Sequence, residues 1–372
     1  MSAVRICIHE KYLNFTERND SMKIWTSEQA KQWYEQTAWQ VGMNYLPSTA
    51  VNSTEMWQKE SFDEAAIRRE LAWAADCGYN SVRVFLPFIV WENEGNGFLE
   101  TLETFLMIAD ENNLTVLPIL FDDCAFDQGH DPFLGKQLDP VPGLHNGRWT
   151  PSPGFKNADD PAKQSALRDY VHAVVGAHRN DRRIVAWDLY NEPGNTNRGN
   201  ECLPLLVNCF RWARECEPEQ PLTAGVWRTN LRDSANCAML ELSDIISFHS
   251  YQPIEKTKAF VESVKALGKP LFVTEWLCRE HNNGFADHLP YFAEEKISCW
   301  HWGFVVGRTQ TNLWWGKLDS NPSVWQHDVL YPDGMPYRPE ELDLLRELRF
   351  LGGERSRVSV ANACIPAKNV IK

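Results

Sequence analysis

Nowhere in the 372-residue sequence is there an apolar run long enough to span a bilayer. The first twenty residues, MSAVRICIHEKYLNFTERND, lack the continuous apolar core of a signal peptide. Basic charge is also in short supply: 37 Lys and Arg stand against 50 Asp and Glu, a net charge of −13. That balance excludes the basic patches that nucleic acid and anionic membrane surfaces require. The ten cysteines contain no CxxC pair and no Cys-His cluster, so neither a zinc site nor a disulfide framework is expected. Cys202, Cys209 and Cys216 recur every seven residues on a predicted helix. Successive members lie about 10 Å apart along its axis, too far to bridge. They read as small buried hydrophobes in a reducing compartment, which points to the cytoplasm. No GxGxxG follows the first predicted strand, so no dinucleotide cofactor is expected. Linkers, low-complexity tracts and long-period repeats are absent too, and one domain is expected.

What is present is a large supply of apolar residues, 43 % of the chain, and sixteen tryptophans. Tryptophan offers a flat apolar face with a donor at its edge, so two or more are expected to line a cleft. Short β-branched or aromatic runs alternate with longer amphipathic ones. The predicted strands cover 41–47, 80–86, 114–121, 184–191, 221–227, 244–251, 270–276 and 297–304. Between them, 62–78 has helical apolar spacing and ends in a capping glycine, while 160–179 opens with Asp160 as N-cap and Pro161 in the first turn. Eight such units predict an α/β chain folded as a single (β/α)8 TIM barrel over 22–355. Residues 1–21 read as an N-terminal extension and 356–372 as a C-terminal tail. Two long loops, 122–158 after the third strand and 307–339 after the eighth, open on the barrel face where active sites assemble.

The stretch AWDLYNEPGN, 186–195, ends an apolar strand on Asn191 and Glu192 and then closes it with Pro193. Proline supplies no N–H to a ladder and biases the preceding residue toward extended backbone. The seventh strand, LFVTEW, likewise ends on Glu275. Strands four and seven face each other across an eight-stranded barrel. Two carboxylates so placed suit glycosidic cleavage with retention, which needs a nucleophile and an acid/base about 5–5.5 Å apart. Arg83, on the second strand, is the candidate cation to keep Glu275 ionised. Glu192, near that charge and among aromatics, is expected to have a raised pKa suited to proton donation.

WDLYNEP on strand four, the Glu of VTEW on strand seven, the Arg of strand two, FHSY on strand six and a Trp on strand eight together resemble clan A glycoside hydrolases. The match is nearest to family 5-like cellulases, mannanases and β-glycosidases, over about residues 25 to 350. The resemblance implies Glu192 as acid/base, Glu275 as retaining nucleophile and Asn191 as a partner of the sugar 2-hydroxyl. It also implies His249 and Tyr251 as the strand-six pair shaping the site, and Trp302 as the platform under the sugar. Trp300 shares the parity of Trp302. At strand three many members carry a histidine, whereas this chain has Asp122 and Asp123, of which Asp122 is taken as a substrate-binding or supporting residue.

The expected function is a retaining β-glycoside hydrolase that is exo-acting because the two long loops wall the cleft, with a carbohydrate as its partner. A transglycosylase would use the same residues. Two readings of other classes are a metal-dependent isomerase or lyase built on Asp122, Asp123, Glu192, His249 and Glu275, and a barrel that binds sugar without cutting it. No metal or cofactor is expected. Glu55 and Trp57 could line the glycone pocket or merely begin a helix. Asp188 should lie on the barrel floor, and His130, His145 and Trp149 are loop residues within reach of a pocket.

Overall fold

A computed structural model of the chain describes residues 22–126, 131–319 and 321–350. Residues 1–21, the tail 356–372 and His130 lie outside the described residues. The eight expected strands are all present as β1 (Val41–Asn44), β2 (Ser81–Phe85), β3 (Thr115–Asp122), β4 (Trp187–Asn191), β5 (Leu222–Thr223), β6 (Ile246–His249), β7 (Leu271–Glu275) and β8 (Ser298–Trp302). All ladders are parallel, in the order β5-β4-β3-β2-β1-β8-β7-β6. The ring closes beyond the short β5, where Val226 bridges Phe248: its N–H donates to Ser247 O at 2.9 Å, and His249 N–H donates to Val226 O at 2.9 Å. Strands buried on both sides explain the near-continuous apolar runs in the sequence.

The helices begin and end where side chains can satisfy their free backbone groups. Asp63 accepts from Ala66 N–H at the start of Glu64–Cys77, and Gly78, at φ 102°, ends it in the left-handed region. Asp160 caps the turn Pro161–Lys163 that leads into Gln164–Ala177. Among the described residues no helix is long and apolar enough to cross a membrane. Cys202, Cys209 and Cys216 are free thiols on and beside the helix Leu203–Glu215, as their spacing required.

Inside the barrel the side chains stack in layers. Trp300 is fully buried on the floor with Leu117, Val185, Ala186, Ile245 and Phe272, and its Nε1 donates to Ser81 Oγ at 3.0 Å. Gly42 makes room for it: a Cβ there would stand 2.7 Å from Trp300 Cδ1 and 2.2 Å from Ser81 O. One layer up, register places Asn44 beside both Arg83 and Trp302. The site is built on that layer.

Candidate active site

Arg83 occupies the barrel axis, fully buried, and its guanidinium organises the layer. Nη1 donates to Asn44 Oδ1 at 2.6 Å and to Glu275 Oε1 at 2.9 Å. Nη2 donates to Asp188 Oδ2 at 2.8 Å and Asn191 Oδ1 at 2.6 Å, and Nε reaches the same Asp188 oxygen at 3.1 Å. A planar fork is the side chain that can hold four partners at once. Asp188 is the floor residue expected from its parity, and it takes part of the positive charge that otherwise would go to Glu275 alone.

Glu275 ends β7 and receives a second bond, from Tyr251 Oη to Oε2 at 2.9 Å. Glu192 lies one residue past β4, and its backbone differs from expectation. Pro193 does end the strand, but Glu192 sits at φ 43°, in the left-handed region, and is not extended. A non-glycine residue there costs on the order of 1–3 kcal/mol, and the following loop holds it in place. Gly194 N–H and Tyr190 Oη each donate to the Asp123 carboxylate at 2.7 Å, and Arg198 pairs with it at 3.3 Å. Thr196 Oγ1 donates to Asp123 O at 2.9 Å.

His249 joins the two glutamates. Its Nδ1 is 2.6 Å from Glu192 Oε1 and 3.4 Å from Glu275 Oε2. One oxygen of each glutamate and one His249 nitrogen all lie within 4.8 Å of one another. Glu192 Oε2 accepts from Cys124 Sγ at 3.2 Å and from Asn195 Nδ2. Burial pushes the Glu192 carboxyl up, but the hydrogen bond and charge of His249, with Cys124 and Asn195, bring it below the usual range. Glu275 moves the other way: burial and the Glu192 charge raise it beyond what His249, Arg83 and Tyr251 offset. These directions reverse the expectation of a raised Glu192 and a charge-stabilised Glu275. The physical reasons are the burial and neighbouring Glu192 charge that act on Glu275, and His249, which sits closer to Glu192.

The strand-three aspartates support the site without facing it. Asp122 Oδ1 accepts from Asn191 Nδ2 at 2.8 Å and Cys124 N–H at 3.0 Å, and Oδ2 accepts from Trp149 Nε1 at 2.7 Å. Burial raises its pKa to about 7 against those three donors. Asp122 thus fixes Asn191 and Trp149, and Asp123 fixes the Glu192 loop, so neither carboxylate is free for a hydroxyl. The five-residue metal set therefore does not assemble: only Glu192, His249 and Glu275 converge, with His249 Nδ1 already hydrogen-bonded to Glu192 Oε1.

Above this layer is a pocket of about 230 Å³. Trp302 and Trp149, edge-to-face at 5.6 Å, form one wall, and Phe85 packs on Trp302 at the same distance. Tyr251 and Trp315, centroids 4.8 Å apart, form another. His145, Asn146 and Phe126 from the long third loop complete the lining. Trp300 is separated from Trp302 by a full layer and touches none of it. Glu55 and Trp57 stand outside the pocket. Trp57 is core, its Nε1 on Phe85 O at 2.7 Å, and Glu55 accepts from Val51 N–H at 2.6 Å. Reasoning from sequence missed Asn44, Cys124, Asn146 and Asn195. Only Asn44 had a readable signal, the register that sets it beside Arg83.

A family model described as cellulase (glycosyl hydrolase family 5) matches residues 47–306, well over half of the chain. The chain belongs to glycosyl hydrolase family 5. The family 5 match spans β2 through β8 and takes in every residue of the site described above except Asn44 and Trp315. No curated protein matches the chain. Among solved structures it is similar to the exo-β-1,4-mannosidase Op5Man5 from Opitutaceae bacterium strain TAV5, with TM-score 0.62 and 17 % identity over 91 % of this chain. The chain spans 62 % of the length of that mannosidase. It is also similar to a glycoside hydrolase family 5 mannosidase from Rhizomucor miehei, with TM-score 0.56, 14 % identity and coverage of 86 % and 94 % of the two chains. A third is GH5_18 from Streptomyces cattleya, solved with Manβ1-4GlcNAc, with TM-score 0.57, 15 % identity and coverage of 84 % and 80 %. At these identities the likeness is one of fold.

Proposed function

We propose that this family 5 enzyme is a retaining exo-β-glycosidase that removes β-linked mannose by double displacement. The observation that carries the reaction type is the approach of Glu192 and Glu275 oxygens to within 4.8 Å. An inverting pair stands about 6.5–9.5 Å apart, to leave room for a water between carboxylate and sugar. Glu275, held by Arg83 and Tyr251 at 2.9 Å each, attacks the anomeric carbon. The bond to the leaving oxygen breaks as Glu192 gives that oxygen a proton. His249 Nδ1, 2.6 Å from Glu192 Oε1, fixes the orientation of that carboxyl toward the pocket. Glu192 then takes a proton from water, which attacks the glycosyl ester and frees Glu275.

The exo assignment rests on the two long loops, which are bonded into one wall. Asn146 N–H donates to Thr309 O at 2.7 Å and Asp319 N–H to Gly143 O at 3.0 Å. Gln310 Nε2 donates to Val141 O at 2.7 Å and Leu144 O at 3.1 Å, while its Oε1 accepts from Gly143 N–H at 3.1 Å. Mannose as the glycone rests on the solved relatives, two of which are named mannosidases. Proton NMR of p-nitrophenyl β-D-mannopyranoside turnover tests the reading. β-Mannose should appear first and mutarotate afterwards. First appearance of the α-anomer contradicts retention, turnover restricted to other glycosides contradicts mannose, and internal cuts in a mannan contradict exo action.

A further inference from the structure

The loop wall carries a polar group that neither the catalytic layer nor the fold uses. Asn146 is 1 % exposed and lines the pocket, yet its Oδ1 and Nδ2 find no hydrogen-bond partner among the described residues. A buried donor and acceptor both left unpaired are rare in folded proteins and call for a reason. The backbone holds this residue firmly: its N–H donates to Thr309 O at 2.7 Å, and its carbonyl accepts from Trp149 N–H at 3.0 Å. Its φ of 49° is left-handed, which asparagine tolerates and glycine adopts freely. The turn would therefore be served by glycine, without burying an amide.

The neighbouring side chain is poised in the same way. His145 is buried and lines the pocket, with Nδ1 set on Leu313 O at 2.9 Å. Burial takes its pKa down to about 4. The ring is therefore neutral at pH 7 and gives Nδ1–H to the carbonyl, which leaves Nε2 as an acceptor. Successive rings connect this corner to the reacting centre: His145 is 6.1 Å from Trp315, Trp315 is 4.8 Å from Tyr251, and Tyr251 bonds Glu275. His145 and Asn146 line the same pocket of about 230 Å³ as Glu192 and Glu275, so a single sugar ring held there meets both the carboxylates and this corner.

We propose that the side-chain amide of Asn146, with His145 Nε2 beside it, is the subsite that reads the glycone's vicinal diol at positions 3 and 4. This rests on the glycosidase reading above. One hydroxyl donates to Oδ1 and its neighbour accepts from Nδ2, so a single planar amide is satisfied by two adjacent oxygens. A sugar extended at its 4-position cannot complete that pairing, which selects chain ends.

The test compares wild type, Asn146→Gly and Asn146→Asp. Binding of methyl β-D-mannopyranoside and its 3-deoxy and 4-deoxy analogues is followed through the fluorescence of the pocket tryptophans. The kcat/KM of the matching p-nitrophenyl glycosides is measured in parallel. Wild type should lose roughly 10- to 100-fold in affinity for each deoxy sugar. Asn146→Gly keeps the backbone conformation and should bind all three within about threefold of one another. Asn146→Asp keeps the acceptor and loses the donor, so it should still reject one deoxy sugar and tolerate the other. A wild type that does not discriminate, or equal discrimination in all three proteins, overturns the proposal. Turnover without discrimination leaves the hydrolase reading standing and removes this one. Discrimination lost in Asn146→Gly, without turnover in any protein, does the reverse.

Discussion

Replacing Tyr251 with Phe isolates one hydrogen bond to the proposed nucleophile. The Tyr251 hydroxyl donates to Glu275 Oε2 at 2.9 Å, and burial holds the phenol well above its ordinary pKa, so it remains a donor throughout the working range. The ring itself packs edge-to-face on Trp315 at 4.8 Å, and Phe keeps that contact. A hydrogen bond to a charged group contributes about 1.5–3 kcal/mol, and one pKa unit is about 1.4 kcal/mol. Donation stabilises the ionised form, so its loss should raise the Glu275 pKa by roughly 1–2 units. The nucleophile must be ionised, so the acidic limb of the kcat/KM profile should move to higher pH by that amount. Well below the wild-type limb, where activity follows the ionised fraction, kcat/KM should fall roughly 10- to 100-fold. The assay is aryl mannoside turnover from pH 3.5 to 9, with thermal melts as the folding control. An acidic limb that stays in place, with kcat/KM within twofold of wild type, would refute the assignment of Glu275 and Tyr251.

Three further changes probe other parts of the site. Cys124→Ala removes a donor at 3.2 Å from Glu192 Oε2; an NMR titration of the Glu192 carboxyl should show its pKa raised, while Cys124→Ser, which retains a donor, should restore it. Gln310→Ala cuts three bonds between the loops, about 3 kcal/mol at roughly 1 kcal/mol each; the share of internal cuts in a mannan digest should increase, and an unchanged product pattern would count against the wall. Asp328 is buried, with a folded pKa raised to about 6 from 3.8. Stability from this group is present below 3.8 and lost as pH rises through 6, so the melting temperature of Asp328→Asn relative to wild type should be higher at pH 8 than at pH 5.

The strands were legible because parallel strands buried on both faces must be continuously apolar. Their ends were less so. β5 shrinks from the expected 221–227 to Leu222–Thr223, and Gly225, beyond it, lies where a Cβ would come within 3.0 Å of His249 Nε2. That requirement belongs to a partner strand and leaves no local pattern. Glu192, Glu275 and Arg83 could be found because the ends and register of strands four, seven and two bring them to one mouth, whereas Asn191, His249, Tyr251 and Trp302 were legible only through the family resemblance. Asp122 and Asp123 were placed correctly but turn toward Trp149, Tyr190 and Arg198, partners supplied by the loops and by β4. Cys124, Asn146 and Asn195 lie on loops, where no period relates sequence to direction. The pKa directions were misjudged for a similar reason, since they depend on which glutamate His249 approaches more closely.

The central claim is that Glu275 becomes covalently attached to the sugar. An activated 2-deoxy-2-fluoro-β-mannoside slows both steps, and the second more than the first if its leaving group is good enough. Incubation followed by peptide mass spectrometry should show one fluorosugar per chain, on the peptide containing Glu275, with activity returning as the label is released. Steady turnover of the unmodified aryl mannoside with no label on any peptide, or a label on Glu192, would contradict the account.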